Sequence, residues 1–326
     1  MVFISVIIPA YNAENTIEET IQSVLNQTFK DFEIIVINDG SQDKTLEKLA
    51  SIQDNRIQVY SYQNSGQSIS RNRGFQQSKG EFIAFLDADD LWTPDKLEAQ
   101  LTAIKENSNA AIAYSWTNYI DENSNIIRKG SQLNITGNVY PNLLIANFLE
   151  NGSNPLIQRK ALMEVGEFDK DLTPAEDWDL YLRLAARYPF IVVPKAQILY
   201  RVYSNSMSSN TLKMEKSTLE VINRAFQQAP QSLQYLKKQS LANVYKYLTF
   251  KALEQQSSQQ TDVTRFFKNA IQYDPSLLTK RVTLKILSQI AAKNLLSPAQ
   301  TEKLSQRYPQ FFNPVTLLGY MEIHPK

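Results

Sequence analysis

Short apolar segments alternate with segments of helical periodicity over the first part of this 326-residue chain, and polar residues follow each apolar segment. Such an alternation of strands and helices predicts an α/β fold with a parallel sheet and right-handed crossovers. A chain of this length can form one large domain of that class and a smaller second one. The predicted strands are Phe3–Pro9, Phe32–Ile37, Ile57–Tyr62 and Phe82–Leu86, and a helix is predicted over Ile69–Gln77.

The polar residues that follow these strands include Tyr11, Asp39 and Asp87. Because ligands of open α/β sheets bind at the carboxyl ends of the strands, we expect these three side chains to lie near one binding site. Asp87 and Asp89 belong to a run of three carboxylates, and residues two apart on a strand point to the same side. Two neighbouring carboxylates suit a hard divalent cation such as Mg²⁺ or Mn²⁺. The alternative is an acidic turn in which Asp90 caps the next helix.

Four segments resemble, in order, the motifs of the nucleotide-sugar-dependent glycosyltransferases of family 2. These segments are Ser5–Asn12, Asn38–Asp43, Ala84–Asp90 and Ala175–Leu180. The resemblance implies the GT-A fold, an α/β fold with a Rossmann-like mixed, mostly parallel sheet and helices on both faces. Four ordered matches are more specific than any single one, and the resemblance covers residues 3–205. It implies an inverting, metal-dependent hexosyl transfer from a nucleoside diphosphate sugar, most commonly a UDP-sugar. The acceptor would be a hydroxyl of a saccharide or lipid-linked saccharide in cell-surface polysaccharide synthesis.

The resemblance assigns the donor side of the site to particular residues. Tyr11 and Asp39 are expected to hold the base and the ribose, with Asp87 close to the ribose. Arg71 is expected to lie near the nucleotide, and Asp89 to bind the Mn²⁺ or Mg²⁺ ion that bridges the diphosphate. The floor of the nucleotide pocket is expected to be formed by Pro9, Ala10 and Glu14.

The same resemblance makes Asp177 the expected catalytic base, which takes the proton of the attacking hydroxyl. Glu176 and Trp178 are expected on the acceptor side. The chain departs from the family at Tyr203, where relatives commonly have a histidine that assists the metal. Since a phenol with an ordinary pKa of about 10 is a poor ligand at neutral pH, we expect weaker metal binding or a diphosphate contact through the Tyr203 hydroxyl.

Several alternatives stay open at this point. Asp39 is also suited to cap the helix that follows it, and Glu176 and Asp177 are suited to a first helical turn, where the dipole favours carboxylates. A nucleotidyltransferase would share the sheet and the metal carboxylates, but it would need a Gly-rich basic loop that Pro9–Glu14 does not supply. A catalytically weak or inactive nucleotide-sugar-binding scaffold would explain Tyr203, but it would not explain the retained carboxylates.

Charge is distributed unevenly along the chain. Residues 1–210 hold 18 basic and 26 acidic residues, whereas residues 211–326 hold 16 basic and 7 acidic ones. We therefore expect a catalytic domain over 1–210 and a helical C-terminal domain over 211–326, with the boundary near 206–211. The sequence has no cysteine, no apolar run long enough to span a membrane and no Gln-x-x-Arg-Trp motif of processive relatives. These absences predict a cytoplasmic enzyme that adds single sugars.

The C-terminal region has helical periodicity, and residues 266–275 resemble the closing helix and turn of a tetratricopeptide hairpin. Nucleic-acid binding is not expected, because the basic residues follow no recognisable motif. A basic, apolar segment leaves open a peripheral contact with the inner face of the plasma membrane, a protein partner or burial in a core. Its basic residues are Lys280, Arg281, Lys285 and Lys293, and its apolar ones are Leu284, Leu287, Ile290 and Ala291. Helices are predicted over 213–228, 231–256, 261–272, 275–294 and 298–307.

Overall fold

The computed structural model of the chain describes residues 2–107, 109–203, 210–254 and 260–325. The chain divides into two compact units. The first contains the chain up to Tyr140 together with Asn147–Tyr203, and the second contains Pro141–Ala146 and the chain after Tyr203. The predicted boundary near residues 206–211 lies partly outside the described residues, so the division at residue 210 stays a prediction.

The predicted strands form the parallel part of a sheet in the first unit. They are β1 (Ile4–Ala10), β2 (Phe32–Asn38), β3 (Ile57–Ser61) and β4 (Phe82–Phe85). Strand β1 lies between β2 and β4, and in this register Ile7 is opposite Ile35 and Phe85. Strand β3 extends the sheet beyond β2. Every residue of β1 and β2 is buried, as expected for central parallel strands.

The second half of the first unit makes the sheet mixed. Its strands are β5 (Leu91–Trp92), β6 (Ile112–Ile120), β7 (Ile126–Lys129), β8 (Leu156–Gln158) and β9 (Phe190–Arg201). Among the described residues the strand order is β3-β2-β1-β4-β8-β6-β9-β5, and β7 pairs with β6. Strand β8 is antiparallel to both of its neighbours, whereas β6 and β9 form a long parallel pair. Most of the paired length is therefore parallel, and the predicted mixed α/β fold is confirmed.

Helices cover both faces of this sheet. The helices of the first unit are α1 (Ile17–Leu25), α2 (Thr45–Ser51), α3 (Gln67–Gln77), α4 (Lys96–Glu106), α6 (Arg159–Val165) and α7 (Glu176–Ala185). Helix α5 (Tyr140–Ile145) belongs to the second unit except for its first residue. On one face, Ile4, Val6 and Ile8 of β1 share a buried core with residues of α1 and α4. On the other face, α3 approaches so closely that a Cβ at Gly74 would lie 2.3 Å from Cγ2 of Ile7. Successive side chains of β1 thus pack against helices on opposite sides.

The second unit is helical, as predicted. Its helices are α8 (Thr211–Gln228), α9 (Leu236–Glu254), α10 (Gln260–Tyr273), α11 (Arg281–Leu295), α12 (Pro298–Arg307) and α13 (Pro309–Phe312). Short 3₁₀ turns occupy Gln231–Leu233, Pro275–Thr279 and Pro314–Tyr320. The predicted helices over 231–256 and 275–294 therefore each begin with a 3₁₀ turn. A proline stands at the start of both turns, where its missing N–H costs no hydrogen bond. None of the described helices combines the length and the apolar character needed to cross a membrane.

Helices α9 and α10 pack against each other as the predicted hairpin. The rings of Tyr245 and Tyr273 stack with centroids 5.8 Å apart and an interplanar angle of 5°. At the end of the hairpin, the Lys246 ammonium lies 2.8 Å from the Asp274 carboxylate and donates to the Tyr320 carbonyl at 2.7 Å. The hairpin therefore has its own aromatic and polar contacts within the second unit.

The alternative in which the predicted apolar face of α11 is buried in a core is wrong for most of that face. Leu284, Leu287 and Ala291 are exposed, and only Ile290 of the predicted face is buried. The core contact is made instead by a different stripe, which includes Val282 and Ile286. Both stripes satisfy helical periodicity, so the sequence alone does not say which one is buried. The Lys293 side chain lies outside the described residues.

Candidate active site

The end of β1 and the loop after it contain the residues that are predicted to form the floor of the nucleotide pocket. Pro9 and Ala10 are the last residues of the strand, and Tyr11 follows with 50% of its surface exposed. The Glu14 carboxylate accepts a hydrogen bond from the Lys44 backbone N–H at 2.9 Å. Glu14 therefore ties this loop to the loop after β2, while the Tyr11 ring remains accessible to a planar ligand.

Asp39 is buried directly after β2, where it organises the loop that precedes α3. Its carboxylate accepts hydrogen bonds from the backbone N–H groups of Ser65 at 2.9 Å and Gly66 at 2.8 Å. The Arg73 guanidinium lies 3.6 Å from the same carboxylate. Helix α2 begins only at Thr45, so the alternative in which Asp39 caps that helix is wrong.

The acidic segment does not continue the strand. Strand β4 ends at Phe85, and the N–H of Asp90 donates to the carbonyl of Asp87 at 3.1 Å to close a turn. The expectation that strand alternation orients Asp87 and Asp89 is therefore wrong. The hydroxyl of Thr20 on α1 donates to the carbonyl of Ala88 at 3.0 Å. This hydrogen bond attaches the acidic turn to α1.

Asp90 is a buried structural carboxyl rather than a helix cap. It accepts hydrogen bonds from the Ser153 hydroxyl at 2.5 Å and from the backbone N–H of Arg201 at 2.9 Å. Burial raises its pKa well above the usual range, and the charge of Asp89 adds to that effect. The Arg201 guanidinium also donates to the carbonyl of Asp89 at 2.8 Å. The end of β9 and the loop after α5 thus hold the acidic turn in place.

Arg71 joins the acidic turn to the start of α7. Its Nη2 donates to Asp87 Oδ1 at 2.6 Å, and its Nη1 donates to Glu176 Oε1 at 2.8 Å. Burial alone would lower the pKa of Arg71, but the charges of Asp87 and Glu176 outweigh burial and raise it. The sequence predicted that Arg71 lies near the nucleotide and that Glu176 lies on the acceptor side. The ion pairs join Arg71 to Asp87 and Glu176, and the roles of these residues toward nucleotide and acceptor stay predictions.

The backbone at Gly152 lies directly against the Arg71 guanidinium. A Cβ at Gly152 would lie 2.6 Å from Arg71 Nη2, so only glycine fits against the arginine in this arrangement. Gln67 supports the same pair from α3, because its side-chain amide donates to Asp87 Oδ1 at 2.7 Å. One oxygen of Asp87 is therefore shared by two donors of the protein.

Asp177 lies in the first turn of α7, next to Glu176 and before the buried Trp178. Its carboxylate accepts hydrogen bonds from the Trp178 backbone N–H at 2.7 Å and from the Asn147 side-chain amide at 3.3 Å. Burial raises the pKa of Asp177 to about 7, the charge of Glu176 adds to the shift, and Arg71 opposes it. A carboxyl group with a pKa near neutrality is suited to accept a proton from a hydroxyl.

Asp89 has the electrostatic character of a cation ligand. Burial raises its pKa to about 7, and the charge of Asp87 adds to the shift. Such a carboxylate gains stability from a nearby cation, because the cation favours the charged form. Within the described residues, no three His, Cys, Asp or Glu side chains are grouped as metal ligands. A divalent ion at Asp89 would therefore need substrate phosphates and water as its other ligands, as Mg²⁺ sites often do, and the metal stays a prediction.

Tyr203 lies in the electrostatic field of the same turn. Burial raises the pKa of its hydroxyl to about 12, and the negative charge of Asp89 contributes to that shift. The phenol therefore stays protonated at neutral pH and is a hydrogen-bond donor. The two expectations for Tyr203, weaker metal binding or a diphosphate contact through its hydroxyl, both stay predictions.

Sequence patterns did not predict the residues that support this site. Asn147 contacts Asp177, Ser153 contacts Asp90, and Gln67 contacts Asp87, although each pair is far apart in sequence. The only local signal is the high content of Asn, Ser and Gly over residues 147–154. Such a composition is typical of a loop that satisfies polar groups through its own side chains.

Comparisons with known sequences find the same family that the motifs indicate. The sequence model of the glycosyltransferase-like family 2 matches residues 5–252. An uncharacterized glycosyltransferase of Rickettsia bellii is 36% identical over 187 residues, which are 56% of this chain and 26% of that protein. The chain thus spans about a quarter of the length of that relative.

Two relatives have more specific names. The putative teichuronic acid biosynthesis glycosyltransferase TuaG of Bacillus subtilis is 33% identical over 224 residues, which are 66% of this chain and 85% of TuaG. WfgD of Escherichia coli, a UDP-Glc:α-D-GlcNAc-diphosphoundecaprenol β-1,3-glucosyltransferase, is 32% identical over 227 residues, which are 67% of this chain and 85% of WfgD.

Solved structures share the fold. Residues 1–349 of S. aureus TarS in complex with UDP give a TM-score of 0.61 at 19% identity, covering 97% of this chain and 90% of the other. The mannosyltransferase PcManGT of Pyrobaculum calidifontis, in complex with GDP-Man and Mn²⁺, gives a TM-score of 0.58 at 16% identity. That match covers 97% of this chain and 87% of the other.

Proposed function

The chain belongs to the glycosyltransferase-like family 2, and on that premise we propose that it is an inverting, non-processive glycosyltransferase. It transfers a hexose from a nucleoside diphosphate sugar, most simply a UDP-sugar, to a hydroxyl of a saccharide or lipid-linked saccharide. The observation that carries the proposal is the pair of ion bridges from Arg71 to Asp87 and Glu176, which brings the candidate base Asp177 beside the acidic turn.

In this proposal the nucleotide lies on the loops after β1 and β2. The exposed ring of Tyr11 stacks on the base, above a floor of Pro9 and Ala10. Asp39 fixes the loop at Ser65 and Gly66 on one side and retains free lone pairs for the nucleotide. Asp87 reaches the ribose through the oxygen that Arg71 and Gln67 do not occupy. Glu14 acts by joining the two loops, and it does not need to touch the nucleotide.

The transfer moves one proton, forms one bond to the anomeric carbon and breaks another bond at that carbon. The acceptor hydroxyl gives its proton to Asp177 as its oxygen forms a bond to the anomeric carbon. The bond from that carbon to the diphosphate oxygen breaks, and the diphosphate departs with the electron pair. Attack opposite to the leaving group inverts the anomeric centre. Glu176 is held by Arg71 and Asp179 by Arg183, so Asp177 is the carboxylate of this helix turn that is left for the acceptor, with Trp178 beside it.

Asp89 is the residue that would hold Mn²⁺ or Mg²⁺ against the diphosphate. When bound, such an ion supplies Lewis-acid stabilisation of the charge that develops on the leaving group. The Tyr203 hydroxyl donates a hydrogen bond to the same diphosphate, because its phenol stays protonated. Support for the metal comes from the raised pKa of Asp89 and from the Mn²⁺ bound to PcManGT.

The acceptor class follows from the relatives. TuaG is named for teichuronic acid biosynthesis, and the acceptor in the name of WfgD is a sugar diphosphate of undecaprenol. We infer that this chain also works on a polysaccharide or its lipid-linked precursor. Such an acceptor would place the enzyme in the cytoplasm, at the inner face of the membrane.

A binding experiment tests the donor side and the metal. Calorimetry with UDP, GDP and dTDP, each with and without Mn²⁺, is expected to give metal-dependent binding of one nucleotide, UDP first. Asp89→Asn is expected to weaken the metal-dependent part by about tenfold or more, because a neutral amide is a poor ligand for a hard cation. Asp95→Asn, at an exposed position outside the acidic turn, is the matched control and should bind as the wild type does. A folded protein that binds none of the nucleotides would exclude the proposed function.

The pH dependence of turnover tests the base. Asp177 accepts a proton only when it is deprotonated, and its pKa is about 7. We therefore expect kcat to rise about tenfold per pH unit below pH 7 and to level off above it. The profile should be measured at saturating donor and Mn²⁺, so that metal binding does not contribute. A profile that is flat between pH 5 and 8 would contradict the role of Asp177.

A further inference from the structure

The second unit exposes several large apolar side chains on and beside α11. Leu278 in the preceding 3₁₀ turn is 62% exposed, and Leu284, Leu287 and Leu295 on α11 are 72%, 48% and 83% exposed. We call these four residues the leucine face. The positions 284, 287 and 295 lie three and eight apart, so they follow one side of the helix. Isolated exposed leucines are common, but an aligned group of them marks an interaction surface.

The leucine face is not needed to hold α11 in the fold. The opposite side of the helix is already packed, with Val282 and Ile286 fully buried and Ile290 nearly so. The Gln289 side chain also donates to the carbonyl of Phe311 at 2.8 Å. Helix α11 therefore has two apolar sides, of which one serves the core and the other faces solvent.

Positive charge accompanies the leucine face. Lys280 and Arg281 are exposed at the start of α11, and Lys285 is half-buried one turn further on. Between Asp274 and Glu302 the sequence contains no acidic residue. A helix with leucines on one side and lysine or arginine along the border has the composition of helices that lie in the plane of a lipid surface.

We propose that the leucine face docks on the surface of an anionic lipid bilayer, with the leucines in the interfacial layer and Lys280, Arg281 and Lys285 against the headgroups. The positive charge of the segment favours an anionic bilayer over a second copy of the chain as the partner of the leucine face. A two-fold contact across the leucine face would bring two basic segments together without an acidic partner, and like charges oppose association. Anionic headgroups are complementary to the same segment.

Flotation of the full chain with lipid vesicles tests this proposal independently of catalysis. One set of vesicles contains phosphatidylcholine alone, and the other contains phosphatidylcholine mixed with phosphatidylglycerol. We expect binding to the anionic set, release by added salt and little binding to the neutral set. The double substitution Leu284→Gln with Leu287→Gln is expected to reduce the bound fraction by about tenfold or more. Charge reversal at Lys280, Arg281 and Lys285 should have a similar effect.

A matched control uses equivalent residues of α8. Leu212 is 50% exposed, and Lys213 and Lys216 are exposed beside it. Replacing these residues by Gln, Glu and Glu should leave vesicle binding unchanged, and thermal melting should verify that every variant is folded. Absence of binding to anionic vesicles, or equal binding by the variants, would overturn the proposal. A concentration-dependent dimer that disappears with Leu284→Gln and Leu287→Gln, without vesicle binding, would assign the face to a second copy instead.

Discussion

Replacing Asp177 by Asn is expected to lower kcat by about 10²–10⁴-fold, because the amide cannot accept the proton of the attacking hydroxyl. The exchange keeps the shape of the side chain and the oxygen that accepts from the Trp178 N–H, and the new NH₂ group can donate to the Asn147 side chain once that amide turns its oxygen toward it. The donor binds on other loops, so its affinity should stay within about twofold of the wild type. The measurement is turnover at saturating substrates, together with calorimetric binding of the nucleotide.

The control for this variant is Asp179→Asn, two residues further along α7. Asp179 forms an ion pair with Arg183 at 2.8 Å, so its substitution changes the same helix turn without touching the candidate base. Full activity in Asp177→Asn with nucleotide binding intact would remove Asp177 from the mechanism. Loss of both activity and nucleotide binding would point to a structural defect, which melting curves would reveal.

Replacing Arg71 by Met should destabilise the first unit by about 3–5 kcal/mol, since it leaves two carboxylates without their cation. Arg71 is 2% exposed, and it contacts Asp87 at 2.6 Å and Glu176 at 2.8 Å. We expect a lower free energy of unfolding in urea, because Asp87 and Glu176 then lie next to each other without the cation that contacts both. Activity should fall as well, because the acidic turn and the start of α7 lose their link.

The exposed ion pair between Lys48 and Glu18 provides a matched comparison in the same unit. Its atoms are 2.7 Å apart, but the side chains are 40% and 47% exposed. Lys48→Met should change the free energy of unfolding far less than Arg71→Met does, because surface pairs in water contribute little. Equal effects of Lys48→Met and Arg71→Met on the free energy of unfolding would contradict the buried bridge.

Local patterns in the sequence are sufficient to predict β1–β4, helix α3, most helices of the second unit and the edge of the sheet where the candidate site lies. The reason is physical, because a central parallel strand needs a continuous apolar run and its loops carry the polar residues. The same patterns do not predict the pairing of Arg71 with Glu176, since the two residues are 105 positions apart and meet only in the folded chain. Neither residue differs in its local sequence from an ordinary surface charge.

Two further features depend on tertiary contacts in the same way. The turn at Asp87–Asp90 reads as the end of a strand in sequence, but hydrogen bonds from Thr20, Ser153 and Arg201 hold it in another conformation. Helix α11 has two apolar stripes of similar length, and only packing within the second unit selects the one that is buried. Periodicity finds an amphipathic helix, whereas the choice of partner requires the neighbouring elements.

The close approach of Gly152 to Arg71 has a consequence for engineering acceptor specificity. The two positions behave as one unit, because any side chain at 152 would press on a guanidinium that two carboxylates fix in place. A library that diversifies residues 151–156 with Arg71 held constant would therefore lose every variant that carries a side chain at position 152. Such a library should keep glycine at 152 and place its diversity at the other five positions, because shortening residue 71 to make room would leave Asp87 and Glu176 without their cation.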